Sequence, residues 1–216
     1  MELEQLPTLE NRSCDCNIAS AVELAANLEA TDSIDWLRIG QTMTPVANQF
    51  SMTSLAGIGV TVSIPSGTFL RIDQTPSFPG AFDVGDSLLF TGLRNPGPLT
   101  ITFDMPIFGA GTQIQSDPAN APEYVAIVEA FDGSDRSLGK FEFSGVSSKV
   151  AGSGVLFIGV LDRSGRIEKL VFNPVVTEAA ISPIVTAADP RGKRGSQHAG
   201  VAHGHEFWQL PLGLGF

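Results

Sequence analysis

An all-β sandwich is the fold class this sequence predicts. From Val84 to Phe172 it runs through VGDSLLFTG, GPLTITFDMPIFGAGTQIQ, YVAIVEAFDGSDRSLGKFEFSG and GVLFIGVLDRSGRIEKLVF, short apolar stretches closed by Gly, Pro, Asn or Asp. Runs of this length, rich in β-branched and aromatic residues and separated by turn formers, encode antiparallel strands. Composition points the same way. With 23 Gly and 14 Pro against 17% charged residues, the chain has many turns and few solvated helices, and 43% hydrophobic residues suffice for one core in 216 residues.

The elements follow in order. Ser20-Ala21-Val22-Glu23 has the spacing of a capping box, and Ala21, Leu24, Ala25 and Leu28 share one helical face, which predicts a short helix over residues 20–30. From Ile34 the pattern is β: residues 36–39, residues 49–54, residues 58–64 with Ile58, Val60, Val62 and Ile64 on one face, and residues 69–72. The final apolar run, Ala179 to Val185, contains Pro183, which suits an edge or a bulge. Three sections result: an acidic extension over 1–33, a sandwich of about ten strands over 34–186, and a Gly-rich tail over 187–216 with neither strand nor helix period, read as disordered.

The net charge of −10 is concentrated early, with seven acidic residues and one basic residue before position 34. An acidic chain has no electrostatic reason to bind nucleic acid or anionic membrane, and divalent cations suit it better. No run of about 18 apolar residues predicts a transmembrane helix. The first thirty residues do not show a basic segment followed by an uninterrupted apolar one. Cys14 and Cys16 are too close in sequence to form a favourable disulfide, and without further Cys or nearby His they fall short of a zinc site.

The stretch from Ile34 to about Val185 resembles a family of exported bacterial proteins of the PEP-CTERM-associated type. The matching residues are Ile34-Asp35-Trp36, Phe69 to Gln74, Gly85 to Gly92, Gly97 to Phe103, Gly109 to Gln115, Glu129 to Asp132 with Ser137-Leu138-Gly139, and Phe157 to Val160. The resemblance implies a jelly-roll-like sandwich on a secreted or extracellular protein, most simply a carbohydrate- or ligand-binding module. The family's Asp-rich closing strand stands here as Glu178 to Pro183.

Several constellations bear on chemistry. Gly85-Asp86-Ser87-Leu88 spells the nucleophile block of the GDSL hydrolases, but the partner Asp-x-x-His is missing and a strand pattern, with no helix, follows Ser87. All the histidines, His198, His203 and His205, fall in the tail, where their spacing could capture a transition metal without preorganising one. Acids at strand ends fit hard-cation chemistry better: Asp35, Asp73, Asp86 and Glu178 are the candidate Ca²⁺ ligands if the first and last strands meet, whereas Asp132 and Asp135 read as turn residues. Phe78 and Phe82 in the Pro- and Gly-rich loop 75–83 are candidates for an exposed binding lip, with Tyr124 as a further ligand contact. The function these features predict is a non-catalytic exported module that binds carbohydrate or another matrix ligand, with Ca²⁺ as the candidate stabilising ion. Its alternatives are a calcium- or other metal-dependent hydrolase of small esters or lactones, with Asp73 or Asp86 activating water, and a purely structural matrix protein.

Overall fold

The computed structural model describes residues 19–91, 97–116, 123–174, 179–181 and 184–187. Cys14, Cys16, Glu178, the three histidines and the tail lie outside the described residues. Thirteen strands occur within them: β1 (Ser20–Val22), β2 (Asp32–Ile34), β3 (Thr44–Thr53), β4 (Gly59–Asp73), β5 (Ser87–Phe90), β6 (Leu99–Ile107), β7 (Gly109–Ser116), β8 (Glu123–Phe131), β9 (Ser137–Val146), β10 (Leu156–Leu161), β11 (Ile167–Pro174), β12 (Ala179–Ile181) and β13 (Ile184–Ala187). Every pairing between them is antiparallel.

Hydrogen bonding runs in the order β1-β10-β7-β12-β5-β4-β6-β11-β8-β9, with β13 joining β7 to β2 and β3 alongside β4. The long strand β4 is the fold line. Its first part, Val60 to Ser63, pairs with β6, while its last part, Leu70 to Asp73, pairs with β5. Between the two lie four exposed residues, Pro65 to Thr68, with Gly67 at φ +85° supplying the left-handed turn. One continuous ladder therefore folds into two facing layers, β1-β10-β7-β12-β5 and β6-β11-β8-β9, which is the all-β sandwich expected from sequence.

Alternation fills the space between the layers. Val60, Val62, Ile101, Phe103, Ala126, Val128, Leu170 and Phe172 from one layer meet Phe69, Leu89, Ala110, Ile114, Ile158, Val160, Ile181 and Ile184 from the other, all buried in one cluster. Each large side chain taken out of water here contributes roughly 1.5–3 kcal/mol. Trp36 belongs to the same cluster and meets Phe50 edge-on, as Phe50 meets Phe69.

Three local expectations are corrected. The helix over residues 20–30 is absent: β1 pairs with β10, and only Ala25–Leu28 makes a 3-10 turn. The reason is a non-local demand. Leu28 packs with Val22, Phe157 and Ala187 on the outer side of the β10 layer, in a groove left by glycines of β7. A Cβ on Gly109 would come 2.9 Å from Leu28 Cδ1, and one on Gly111 would come 2.4 Å from Phe157 Cζ. Residues 36–39, expected as a strand, form a 3-10 turn whose N-cap is Asp35. The run from Ala179 to Val185 divides into β12, which lies between β5 and β7, and β13, which lies between β7 and β2, so neither is an edge. Pro183 itself lies outside the described residues.

Candidate functional site

Three of the residues singled out by sequence, Asp35, Asp73 and Ser87, come together where β4, β5 and the 36–39 turn meet. On β4, Phe69, Arg71 and Asp73 share one face by their spacing of two, and Phe69 fixes that face as the one looking into the core. Asp73 stands opposite Ser87 in the β4–β5 ladder. Ser87 is buried, at 4% exposure, and its hydroxyl donates to Asp35 Oδ1 at 3.2 Å. The same oxygen accepts the Leu37 N–H at 2.9 Å, which caps the turn. Asp73 is held by an ion pair with Arg71, a guanidinium only 1% exposed, and its N–H donates to Thr42 Oγ1 at 3.0 Å.

Chemically, this cluster is occupied. An alcohol facing a carboxylate keeps its proton, because a carboxylate is too weak a base to take it, and the imidazole that would relay the proton is absent from the described residues. The Arg71 guanidinium neutralises Asp73, so that carboxylate is not free to activate water. Arg71 is the central residue of the cluster and the sequence reading passed over it. Its signal was a charge at an inward position of an alternating strand, two residues from an acid of opposite sign on the same face.

Asp86 does not join this group. Its Oδ2 accepts the Asp83 N–H at 3.1 Å, and its carbonyl accepts the Gln74 N–H at 2.8 Å, closing the loop 74–86. Burial pushes the Asp86 carboxyl above the usual carboxylate range; the Asp83 N–H opposes this and the Asp83 charge adds to it. Among the described residues, no group of three His, Cys, Asp or Glu side chains is placed to hold a metal ion. Nor do the acids present fit calcium as expected: Asp35 and Asp73 are engaged by protein donors and Asp86 lies in a separate loop, while Glu178 falls outside the described residues.

The aromatic lip is also corrected. Phe82 is 1% exposed and packs with Leu88, while half-buried Phe78 and Phe90 meet edge-on at 6.5 Å beside them. The loop 74–86 thus folds its aromatics onto the outer face of β5, where Leu88 would otherwise meet water. Buried Gln74 donates to the Thr75 and Phe78 carbonyls at 3.0 Å each. From β7, Gln115 accepts the Ala81 N–H at 2.8 Å and donates to the Ser148 carbonyl at 3.0 Å. The loop is therefore fastened on two sides.

Tyr124 points between the layers. Its hydroxyl donates to the Ile114 carbonyl at 2.6 Å, tying β8 to β7, and burial raises its pKa. Gly145 lies against the ring, where a Cβ would come 2.5 Å from Cζ. An open hollow of about 410 Å³ lies here, lined by Glu123, Tyr124, Val125, Ser144, Gly145 and Val146. Glu123 and Ser144 offer it one carboxylate and one hydroxyl, so Tyr124 contributes to a cavity wall with its polar end turned away.

At the opposite margin of this layer, two turns share the spacing Asp-x-Ser-x-Arg. Asp132 accepts the N–H groups of Ser134 and Arg136 and pairs with the Arg136 guanidinium at 3.0 Å. Asp162 does the same with Ser164 and Arg166, its guanidinium contact being 2.9 Å. Burial pulls the Asp162 carboxyl upward, but the hydrogen bonds and charge from Arg166 and Ser164 outweigh it and leave the carboxyl below its ordinary range. Asp135, at φ +60°, pairs with Lys169, whose ammonium also stands 4.4 Å from the Phe131 ring centre. Asp132 and Asp135 are turn residues, as expected from sequence, and Asp162 is a third that the structure adds.

No family model matches the chain, and no curated protein matches it. Among solved structures, a DUF4465 family protein from Bacteroides caccae ATCC 43185 is 12% identical, over 77% of this chain and 99% of that one, with a TM-score of 0.40. The enzymatically active domain of tailspike protein 4 of bacteriophage CBA120 is 13% identical, over 67% of this chain and 19% of that one, with a TM-score of 0.32. Neither likeness bears on what this chain does, and the PEP-CTERM association expected from sequence has no support in these comparisons. Among the described residues, no helix is long and apolar enough to cross a membrane.

Proposed function

We propose that this chain is a non-catalytic, exported β-sandwich module that binds carbohydrate. The observation that carries the reading is the state of the candidate catalytic groups: Ser87 is sealed against Asp35, and Asp73 is neutralised by Arg71. Each is spent on holding β4, β5 and the 36–39 turn together. That leaves outward-facing polar groups, neutral hydroxyls among them, as the means of recognition, and polyhydroxylated ligands are what such groups match. The acidic net charge argues for an uncharged ligand over an anionic one. Export enters from the sequence resemblance alone.

Affinity electrophoresis through gels containing neutral polysaccharides, run beside a chromogenic acyl-ester assay, tests this reading. Retardation by at least one neutral polysaccharide with no ester turnover is the expected result. Absence of retardation in every gel, or ester turnover that Ser87→Ala abolishes, would overturn it.

A further inference from the structure

We infer that the free edge of β3 pairs with the same edge of a second copy of this chain, across a two-fold axis at Phe50. The inference is independent of the carbohydrate reading and starts from the hairpin. The Ser54 N–H donates to the Ile58 carbonyl at 2.8 Å, which makes the closing pair of the β3–β4 hairpin a hydrogen-bonded one. Such pairs alternate along an antiparallel ladder. Thr53, Ser51 and Gln49, which stand opposite Gly59, Thr61 and Ser63, therefore turn their N–H and C=O groups away from β4. The Thr53 carbonyl agrees with this sense, because it accepts the Arg38 guanidinium from outside the ladder at 2.9 Å. Among the described residues, β3 pairs with β4 alone.

Two features bound the open part of this edge. At one end Arg38 holds the Thr53 and Ser54 carbonyls, and at the other the register shifts between Ala47 and Gln49, where a bulge ends regular pairing. Gln49 and Ser51 remain between them, each with one outward N–H and one outward C=O. A two-fold axis at Phe50 sets Gln49 of one copy opposite Ser51 of the other, and Ser51 opposite Gln49, so that every one of these groups finds a partner. Phe50, half-buried and edge-on to Trp36 and Phe69, then stands directly opposite its own counterpart. Neighbouring registers fail. An axis at Ser51 or Met52 needs the Thr53 carbonyl that Arg38 holds, and one at Gln49 runs into the bulge.

Charge and length select a second copy as the occupant. The ten residues of β3 include no ionised side chain, in a chain whose net charge of −10 makes copies repel elsewhere. Arg38 and Asp32, the charges beside the Thr53 end, are spent on the Thr53 and Ser54 carbonyls and on the Ser33 and Ala56 N–H groups. Other edges are guarded in the ways that keep sheets apart: β9 exposes Lys140 and Glu142, while β1 and β2 have three residues each. An added foreign strand reads a longer row of alternate residues than the two left open here. Two copies match with no more than these. Phe50 and Met52, only half-buried at the rim of the core, are residue types that interfaces concentrate, and Leu37 and Leu55 at the Arg38 end are 58% and 67% exposed.

Sedimentation equilibrium of the full chain, from low to high micromolar concentration, compares the wild type with two double variants: Gln49→Lys with Ser51→Lys, and Gln49→Lys with Ser51→Glu. The first sets lysine opposite lysine twice across the axis, and the second sets lysine opposite glutamate twice. Both lose the Ser51–Thr61 hydroxyl bond alike, and circular dichroism melting verifies that both are folded, so their difference is read at the interface. The wild type is expected to dimerise reversibly, the lysine–lysine variant to dimerise about tenfold more weakly or worse, and the lysine–glutamate variant to regain most of that loss. Hydrogen exchange at the Gln49 and Ser51 amides should slow as the dimer fills. A wild type that stays monomeric throughout, or a folded lysine–lysine variant that dimerises as tightly as the wild type, would overturn the proposal. Equal failure of both double variants would overturn the axis at Phe50. Protection of the two amides at every concentration would also overturn the proposal, by showing that a segment of the same chain covers the edge.

Discussion

The turn at Asp162 and the junction at Asp73 each set an aspartate against an arginine, yet the two are built on different principles. Asp162 and Arg166 are four residues apart within one turn, and the turn's own N–H groups complete the carboxylate's coordination. Arg71 and Asp73 are neighbours on one strand, but their surroundings come from β5, the 36–39 turn and Thr42. In the first case the side chain with limited exposure is the acid, fully hydrogen-bonded; in the second it is the base, and Arg71 Nε has no partner among the described residues. A local pairing can satisfy itself, whereas an assembled one depends on every element that supplies it.

Removing the acid at the assembled site is the most damaging single change this comparison predicts. Asp73→Ala would leave a guanidinium buried without its counter-charge, and about 3–5 kcal/mol of stability should be lost in chemical denaturation. Replacing both partners, as in Arg71→Met with Asp73→Leu, should recover much of that loss, because no uncompensated charge remains. A double variant as unstable as Asp73→Ala would show that the pair's worth lies in packing specific to its shape.

At the local site, Asp162→Asn should cost about 1.5–3 kcal/mol, the range of a charged hydrogen bond. Its pH dependence has a definite sign. The folded-state carboxyl is held below its ordinary value, so its contribution is complete above the unfolded-state pKa and is lost as the pH falls through the folded-state one. Stability measured against pH should therefore fall less steeply on the acid side in Asp162→Asn than in the wild type. Asp86 runs the other way: with its carboxyl raised by burial, its contribution is present at low pH and fades as the pH rises past the usual carboxylate range.

The same contrast explains what could be read from the sequence. The turn at Asp132 was legible because Asp and Gly close together between two strand patterns already spell a turn, whereas the matching turn at Asp162 drew no notice. The sandwich was legible because alternation is a local record of burial, as in Ile58 to Ile64. What escaped were features fixed by distant partners. Leu28 looks like one stripe of a helix until the Gly109 and Gly111 groove that receives it is known. Phe82 looks like an exposed loop aromatic until Leu88 is found needing cover on its outer side. Arg71 drew no notice because a charge inside a strand is informative only once that strand's inward face has been assigned.

Calcium offers a smaller but sharper probe of the junction. With Asp35 and Asp73 already bonded to protein donors, neither millimolar Ca²⁺ nor EGTA should move the melting midpoint. A rise of several degrees reversed by EGTA would mean that a cation displaces those partners, with Glu178 the first residue to replace in locating it.

The central claim is that the polar junction holds the fold and performs no chemistry, and Ser87→Ala tests it most directly. Guanidinium denaturation and neutral-polysaccharide affinity are measured on the same preparation. The account predicts a loss of about 1 kcal/mol in stability, from the broken hydrogen bond to Asp35, with carbohydrate affinity unchanged. Unchanged stability accompanied by loss of binding, or of a hydrolytic activity present in the wild type, would contradict it.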